Sequence, residues 1–89
     1  MSAATLHTLV VANASPLRSA FVRWVKALPG DHLVTSTDDA ATALAVVARE
    51  PVDVLVVDAA LPAPARHVLL HHAHAGDPSI RVVMLDDWS

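Results

Sequence analysis

The sequence predicts an α/β fold, an open parallel sheet of four strands with helices on its faces. Apolar runs typical of strands alternate with segments of helical periodicity, in the order βαβαβαβ. The run VDVLVVD is nearly continuously apolar, as expected for a strand that is covered on both faces. The 89 residues are 54% hydrophobic and contain no cysteine, which indicates one domain with an aliphatic core and no disulfides.

The first strand and the first helix are predicted from the segment that begins at residue 6. The β-branched run LHTLVVA predicts a strand over residues 6–12, and the polar segment NASP stops it. Ser15 as N-cap and a proline at the first helical position begin a helix over residues 16–28. Its apolar stripe includes Trp24, which we therefore expect to pack in the core.

The second strand and the second helix follow a Pro-Gly terminator. DHLVTSTD predicts a brief strand over residues 33–36. The segment after it combines capping residues, strong helix formers and a closing proline, which predicts a helix over residues 39–49. Asp38 and Asp39 are expected to cap this helix rather than to form an acidic pocket, because they follow the second strand, away from the expected ligand crevice.

The remainder of the chain predicts two more strands around a third helix. VDVLVVD forms the third strand over residues 52–58, and two prolines punctuate a loop over residues 59–64. The third helix is expected over residues 65–75, and GDPS ends it. IRVVMLDD predicts the fourth strand over residues 80–87.

Charge and targeting signals narrow the classes of partner. The net charge is −3 and the six lysines and arginines are scattered along the chain, so nucleic acid is not an expected partner. The N-terminus has no basic region before its apolar run, and that run stops at Asn13, short of a membrane span. We therefore expect a cytoplasmic protein without a membrane partner.

Polar side chains end three of the predicted strands. In a parallel sheet with strand order 2-1-3-4, ligands bind beyond the carboxyl ends of the strands, at the switch point between strands one and three. Asn13, Asp58 and Asp86 occupy those ends. The sequence thus predicts a shallow pocket lined by these three residues, whichever chemistry it serves.

Four segments, in order and at matching spacing, carry a family resemblance. VDVLVVDAALP places an apolar strand before Asp58 and a proline, Pro62, four residues later. LVVANASPLR spans the first strand and the start of the first helix, STDDAATAL the entry into the second helix, and IRVVML the fourth strand. On these residues the chain resembles, over essentially its whole length, the receiver domain of bacterial two-component response regulators. The resemblance implies a flavodoxin-like open sheet, a signalling role in a phosphorelay, Asp58 as phosphoacceptor and a histidine kinase as partner.

The chain departs from the family pattern at positions that the chemistry needs. Family members carry two acidic residues after strand one to hold Mg²⁺, whereas this sequence has Asn13 and Ala14. Asp58 with one amide oxygen is a poor Mg²⁺ site, since this cation prefers carboxylates. The family's Thr or Ser at the end of strand four aligns with Asp86, an anion that repels a phosphoryl group. We therefore expect a degenerate receiver that requires no cofactor.

Two other roles for the pocket stay open. In the first, Asp58 is a working phosphoacceptor and nucleophile, and Asn13 with Asp86 or Asp87 holds Mg²⁺ beside it. In the second, Asp58 is a structural carboxylate that caps the loop after its strand. A true enzyme is not expected, because no pairing of nucleophile and base, Gly-rich phosphate loop or metal quartet occurs in the sequence.

The resemblance also implies a partner. Family members continue with a helix, a strand that carries a lysine, and a last helix, whereas this sequence stops at Ser89. The fourth strand is therefore expected at an edge, where free backbone groups favour pairing. We expect a homo-oligomer, formed through the fourth strand or an uncovered sheet face, with Val82, Met84 and Trp88 as interface candidates; another signalling protein is the alternative.

Histidines cluster on the third predicted helix. His67, His71 and His74 recur at helical spacing, so that they share one face. Val68 and Leu69 are expected to point into the core on the opposite face. Since no cysteine or carboxylate nearby completes a metal site, we expect a solvated face rather than a metal centre.

Overall fold

The computed structural model describes residues 5–13 and 15–85. Within these residues strands and helices alternate along the chain: β1 (Leu6–Val11), α1 (Pro16–Lys26), β2 (His32–Thr37), α2 (Ala40–Arg49), β3 (Val54–Asp58), α3 (Ala63–Gly76) and β4 (Arg81–Leu85). None of the helices in this part of the chain combines the length and the apolar character that crossing a membrane requires.

The four strands form one parallel sheet in the order β2-β1-β3-β4. This arrangement confirms the predicted α/β class and strand order, and it is consistent with a flavodoxin-like open sheet. β1 and β3 are neighbours in the middle of the sheet, whereas β2 and β4 lie at its edges. Strands that run in parallel end at the same side of the sheet, which brings the residues after β1 and β3 together.

Helices cover the two faces of the sheet unequally. On one face, α2 and α3 pack over a large apolar cluster that includes Leu9, Leu55 and Leu69. On the other face, a smaller cluster around Val10 and Val56 packs against α1. Residues from Leu9 in β1 and from Val54 in β3 alternate between the two clusters, which explains the continuous apolar runs over residues 9–12 and 54–57.

Local capping begins two of the helices as the sequence predicts. The Ser15 hydroxyl accepts a hydrogen bond from the Arg18 backbone N–H at 3.1 Å, and a proline occupies the first turn of α1. The Asp39 carboxylate accepts from the Ala41 N–H at 3.1 Å at the start of α2. The predicted N-caps are therefore confirmed at Ser15 and Asp39.

The charge of Asp39 strengthens its cap. The Thr42 hydroxyl, followed by the Ala41 N–H, donates hydrogen bonds to this carboxylate, and these bonds lower the pKa of Asp39 below its usual value. A lowered pKa in the folded state means that the capping contribution is fully present above the ordinary carboxyl pKa. It is lost as the pH falls through the lower, folded-state pKa.

Two large apolar residues lie outside the core, contrary to the sequence prediction. Trp24 is 60% exposed, and Val68 is 47% exposed. α1 buries Val25, whereas Trp24, one position earlier, is rotated by about 100° around the helix; its ring centroid lies 5.9 Å from that of Phe21. α3 buries the pair at i and i+4, Leu69 and Ala73, so the inward prediction holds for Leu69 and is wrong for Val68.

Several boundaries differ from the predicted ones. α1 ends at Lys26, two residues early, and β3 begins at Val54 rather than at residue 52. α3 begins at Ala63, so that Pro64 lies in its first turn rather than in a loop. The first turn tolerates proline because its N–H groups lack partners within the helix.

A buried histidine joins three segments of the chain at the amino ends of the strands. His7 in β1 is 5% exposed. Its Nδ1 lies 3.1 Å from the Pro51 carbonyl oxygen, which can only accept, so Nδ1 carries the proton. Nε2 shares a hydrogen bond with the Thr35 hydroxyl at 3.1 Å, and the His7 backbone N–H donates to Asp53 Oδ2 at 2.9 Å. His7 thereby links β1 to β2 and to the turn before β3.

Replacing His7 should destabilise the fold, because the groups that its ring binds would lose their hydrogen bonds. His7→Leu is expected to lower the free energy of unfolding in urea by about 1–3 kcal/mol, because the Pro51 carbonyl and the Thr35 hydroxyl lose their bonds. Adding Thr35→Val should reduce that loss, since one unpaired group is removed. The exposed His74→Leu is the control and should leave stability unchanged; an equal loss in the control would contradict this role of His7.

Candidate functional site at the carboxyl ends of the strands

Asn13 and Asp58 lie at the same edge of the sheet, on neighbouring strands. The register pairs Val11 of β1 with Val57 of β3, so Asp58 stands level with the residue that precedes Asn13. Asn13 is exposed, whereas Asp58 is buried. The other predicted pocket residues, Ala14, Asp86 and Asp87, lie outside the described residues, as does the interface candidate Trp88.

The Asp58 side chain holds the turn that follows β3. Its Oδ1 accepts a hydrogen bond from the Ala60 N–H at 2.9 Å, and its backbone carbonyl accepts from the Leu61 N–H at 3.1 Å. An aspartate that bonds the backbone two residues on replaces a backbone turn bond. This geometry is that of the loop-capping carboxylate, one of the roles that the sequence left open.

The second oxygen of Asp58 has different surroundings. The residue is only 2% exposed, and Oδ2 has no hydrogen-bond partner among the described residues. In the same part of the chain no basic side chain forms an ion pair with Asp58. A buried carboxylate oxygen without a partner is uncommon, so Oδ2 is the chemically distinctive atom of this edge.

An arginine from α3 closes the same loop from the other side. Arg66 Nη1 donates to the Ala59 carbonyl at 2.7 Å and to the Leu61 carbonyl at 3.1 Å. Together with the Asp58 bond to Ala60, these contacts fix three consecutive residues after β3. The loop that surrounds Asp58 is therefore held by side chains at both of its ends.

The loop after β1 has an equivalent arginine. Arg18 Nη1 donates to the Ala12 carbonyl at 3.0 Å, immediately after β1 ends. Arg18 and Arg66 both lie in the first turns of helices and reach back to the carbonyl that follows the preceding strand. Neither role was predicted from the sequence, although an arginine near a helix N-terminus opposes the helix dipole and so indicates that its charge serves another contact.

The histidines of α3 form a solvated face, as predicted. His67, His71 and His74 are all exposed, and the His71 ring lies edge-on to the His72 ring at a centroid distance of 5.8 Å. Over residues 5–13 and 15–85, no group of three or more potential ligands is arranged to hold a metal ion.

No protein-family model, curated protein or solved structure matches this chain.

Removing the Arg66 guanidinium should loosen the loop around Asp58. Arg66→Ala is expected to speed amide hydrogen exchange at Ala60 and Leu61 and to lower the free energy of unfolding by about 1.5–3 kcal/mol, the range for hydrogen bonds to charged groups.

Arg49→Ala is the matched control, because the Arg49 hydrogen bond stays within α2. This control should leave the exchange of Ala60 and Leu61 unchanged. Unchanged exchange in Arg66→Ala would show that Arg66 does not hold the loop.

Proposed function

We propose that this chain is a degenerate receiver-like signalling domain of the cytoplasm, which acts by self-association through β4 rather than by phosphorylation of Asp58. The observation that carries the proposal is the state of β4, an edge strand whose apolar side chains stay half exposed. The domain would require no cofactor and would perform no catalysis of its own.

The outer edge of β4 offers unpaired backbone groups. In the described part of the chain β4 pairs only with β3, so its other side has no strand partner. Val83 is 43% exposed and Met84 is 40% exposed, on opposite faces of the strand. Val82 is half buried against the core beneath α2 and α3. An exposed apolar edge of this kind is a template for pairing with another strand.

A second copy of the chain fits this edge by symmetry. A two-fold axis through Val83 would pair β4 with its copy in antiparallel fashion and would extend the sheet across both molecules. In that register Arg81 faces Leu85 of the copy, so no two like charges stand opposite each other. The pairing would also cover Val83 and Met84 of both copies from solvent.

The surroundings of Asp58 favour a structural role for this residue. Its carboxylate is 2% exposed and is already used to hold the turn at Ala60, whereas a phosphoacceptor has to meet its donor in line. The neighbouring position Asn13 supplies an amide where the family has a carboxylate, which weakens Mg²⁺ binding. Both features support signalling without phosphorylation.

One observation favours a second candidate function, that of a working phosphoacceptor. Asp58 Oδ2 has no partner in the described residues and lies at the edge where ligands bind in open parallel sheets. In this alternative Oδ2 would attack the phosphorus of a phosphohistidine on a histidine kinase, the P–N bond would break, and the imidazole would leave as the acyl phosphate forms. Asp58 and Asn13 would contribute ligands to an Mg²⁺ site there. The turn after β3 would have to open before the donor could reach Oδ2.

Self-association through β4 can be tested by sedimentation velocity with two matched substitutions. Val83→Lys places a charge on the edge strand, whereas Val68→Lys makes the same change on α3 at a side chain of similar exposure, 47% against 43%. We expect the wild type and Val68→Lys to form dimers at high micromolar concentration. Val83→Lys should weaken dimerisation by at least about tenfold, because a buried charge without a partner is costly.

Two results would contradict association through β4. One is a folded wild type that stays monomeric throughout the concentration range. The other is an equal loss of dimer in both variants, because that would indicate a general effect of charge. Circular dichroism of each variant confirms that the fold is retained.

A further inference from the structure

A pocket on the outer side of α1 lies apart from the Asp58 turn and from β4. Its volume is about 550 Å³, and it opens between α1 and the end of β2. We name it the α1 pocket and define it by its lining residues: Pro16, Arg18, Ser19, Val22, Arg23 and Ser36. The four residues from Arg18 to Arg23 in this set are spaced at i, i+1, i+4 and i+5, which places them along one side of the helix.

The lining of the α1 pocket is positively charged. Arg18 and Arg23 contribute two guanidinium groups, and none of the described residues that line the pocket carries a carboxylate. Neither arginine forms an ion pair with any described residue. In a chain with a net charge of −3, two arginines that line one pocket and have no acidic partner among the described residues form a local site of opposite sign.

The pocket also has unused hydrogen-bond donors. Arg18 uses one N–H on the Ala12 carbonyl, and Arg23 has no partner within the described residues. A guanidinium has five N–H donors, so most of them stay available. The hydroxyls of Ser19 and Ser36 likewise have no partners in that part of the chain and border the same space.

This set of groups matches the chemistry of a phosphate. Guanidinium groups bind phosphate oxygens through paired, charge-assisted hydrogen bonds, and serine hydroxyls add further donors. Pro16 and Val22 supply an apolar wall, and the pocket volume lies in the range for small-molecule sites. Phosphate alone would leave this wall uncovered.

We propose that the α1 pocket binds a small, soluble phosphomonoester, with the phosphate between Arg18 and Arg23 and the organic part against Val22. Arg23 contributes a charge that is not bonded to any residue of the described part of the chain, whereas Arg18 contributes the free part of a guanidinium that already donates to the Ala12 carbonyl. The site is independent of the proposed self-association, because it uses neither β4 nor Asp58.

Titration at constant ionic strength, followed by backbone amide NMR shifts, tests the proposal. Phenyl phosphate should give saturable shifts at Ser19, Arg23 and Ser36, and inorganic phosphate should bind more weakly because it leaves the apolar wall bare. Arg23→Gln should weaken phenyl phosphate binding by about tenfold, the loss expected for one charge-assisted contact.

The matched control is Lys26→Gln, which removes the same charge from the same helix at an exposed residue that does not line the pocket. It should leave the affinity unchanged, and so should Asp58→Asn. Absence of saturable shifts, or equal weakening by Arg23→Gln and Lys26→Gln, would overturn the proposal.

Vesicles that contain phosphatidic acid distinguish a soluble ligand from a lipid headgroup. For a soluble ligand, we expect that the protein does not cosediment with these vesicles. Cosedimentation that Arg23→Gln abolishes, combined with no binding of phenyl phosphate, would assign the pocket to lipid and overturn a soluble ligand.

Discussion

The burial of β1 and β3 on both faces is the constraint on which the rest of the structure depends. Leu9 to Ala12 in and just after β1 are completely inaccessible, and β3 is almost as deeply buried. Two strands without a polar face need helices on both sides, and parallel pairing requires each helix to return the chain across the sheet. The carboxyl ends of both strands therefore meet at one edge, and Asp58 stands there at the end of the most apolar run in the chain.

The loops at the carboxyl edge of the sheet are held by side-chain hydrogen bonds. Asp58 and Arg66 use side-chain bonds to fix the turn after β3, and Arg18 does the same after β1. A receiver-type switch depends on movement at this place, whereas these contacts favour one conformation. The surface that we propose for self-association lies elsewhere, at β4, the edge strand of the described sheet, where Val83 and Met84 are half exposed.

The sequence was sufficient for features that depend on local or repetitive signals. Alternating periodicity predicted the order of elements along the chain, and the resemblance to a doubly wound, flavodoxin-like fold supplied the strand order. Ser15 and Asp39 were predicted because a cap involves neighbouring residues. The prediction that Trp24 and Val68 lie in the core was wrong. Each stands beside a buried residue in an apolar stretch, and only the packing of the helix on the sheet decides which of the two neighbours is buried. His7 was missed because its partners are set by the tertiary fold; His7 and Asp53 are 46 positions apart. Arg66 was missed although its partners lie only seven and five positions away, because nothing in the local pattern shows that the side chain turns back towards the preceding loop. Of the predicted pocket residues, Asn13 and Asp58 belong to the described part of the chain and Asp86 does not.

The central claim, that Asp58 serves the fold rather than a phosphoryl switch, is tested most directly with beryllium fluoride and Mg²⁺, which mimic a phosphoryl group on aspartate. Amide NMR shifts of the wild type and of Asp58→Asn would be recorded during the titration. The account predicts no saturable shift at Asn13, Asp58 or Ala60 in either protein. Any shift near Arg23 should be the same in both, because the α1 pocket does not involve Asp58. Saturable shifts around Asn13 and Asp58 that are absent in Asp58→Asn would contradict the claim and would establish Asp58 as a working phosphoacceptor.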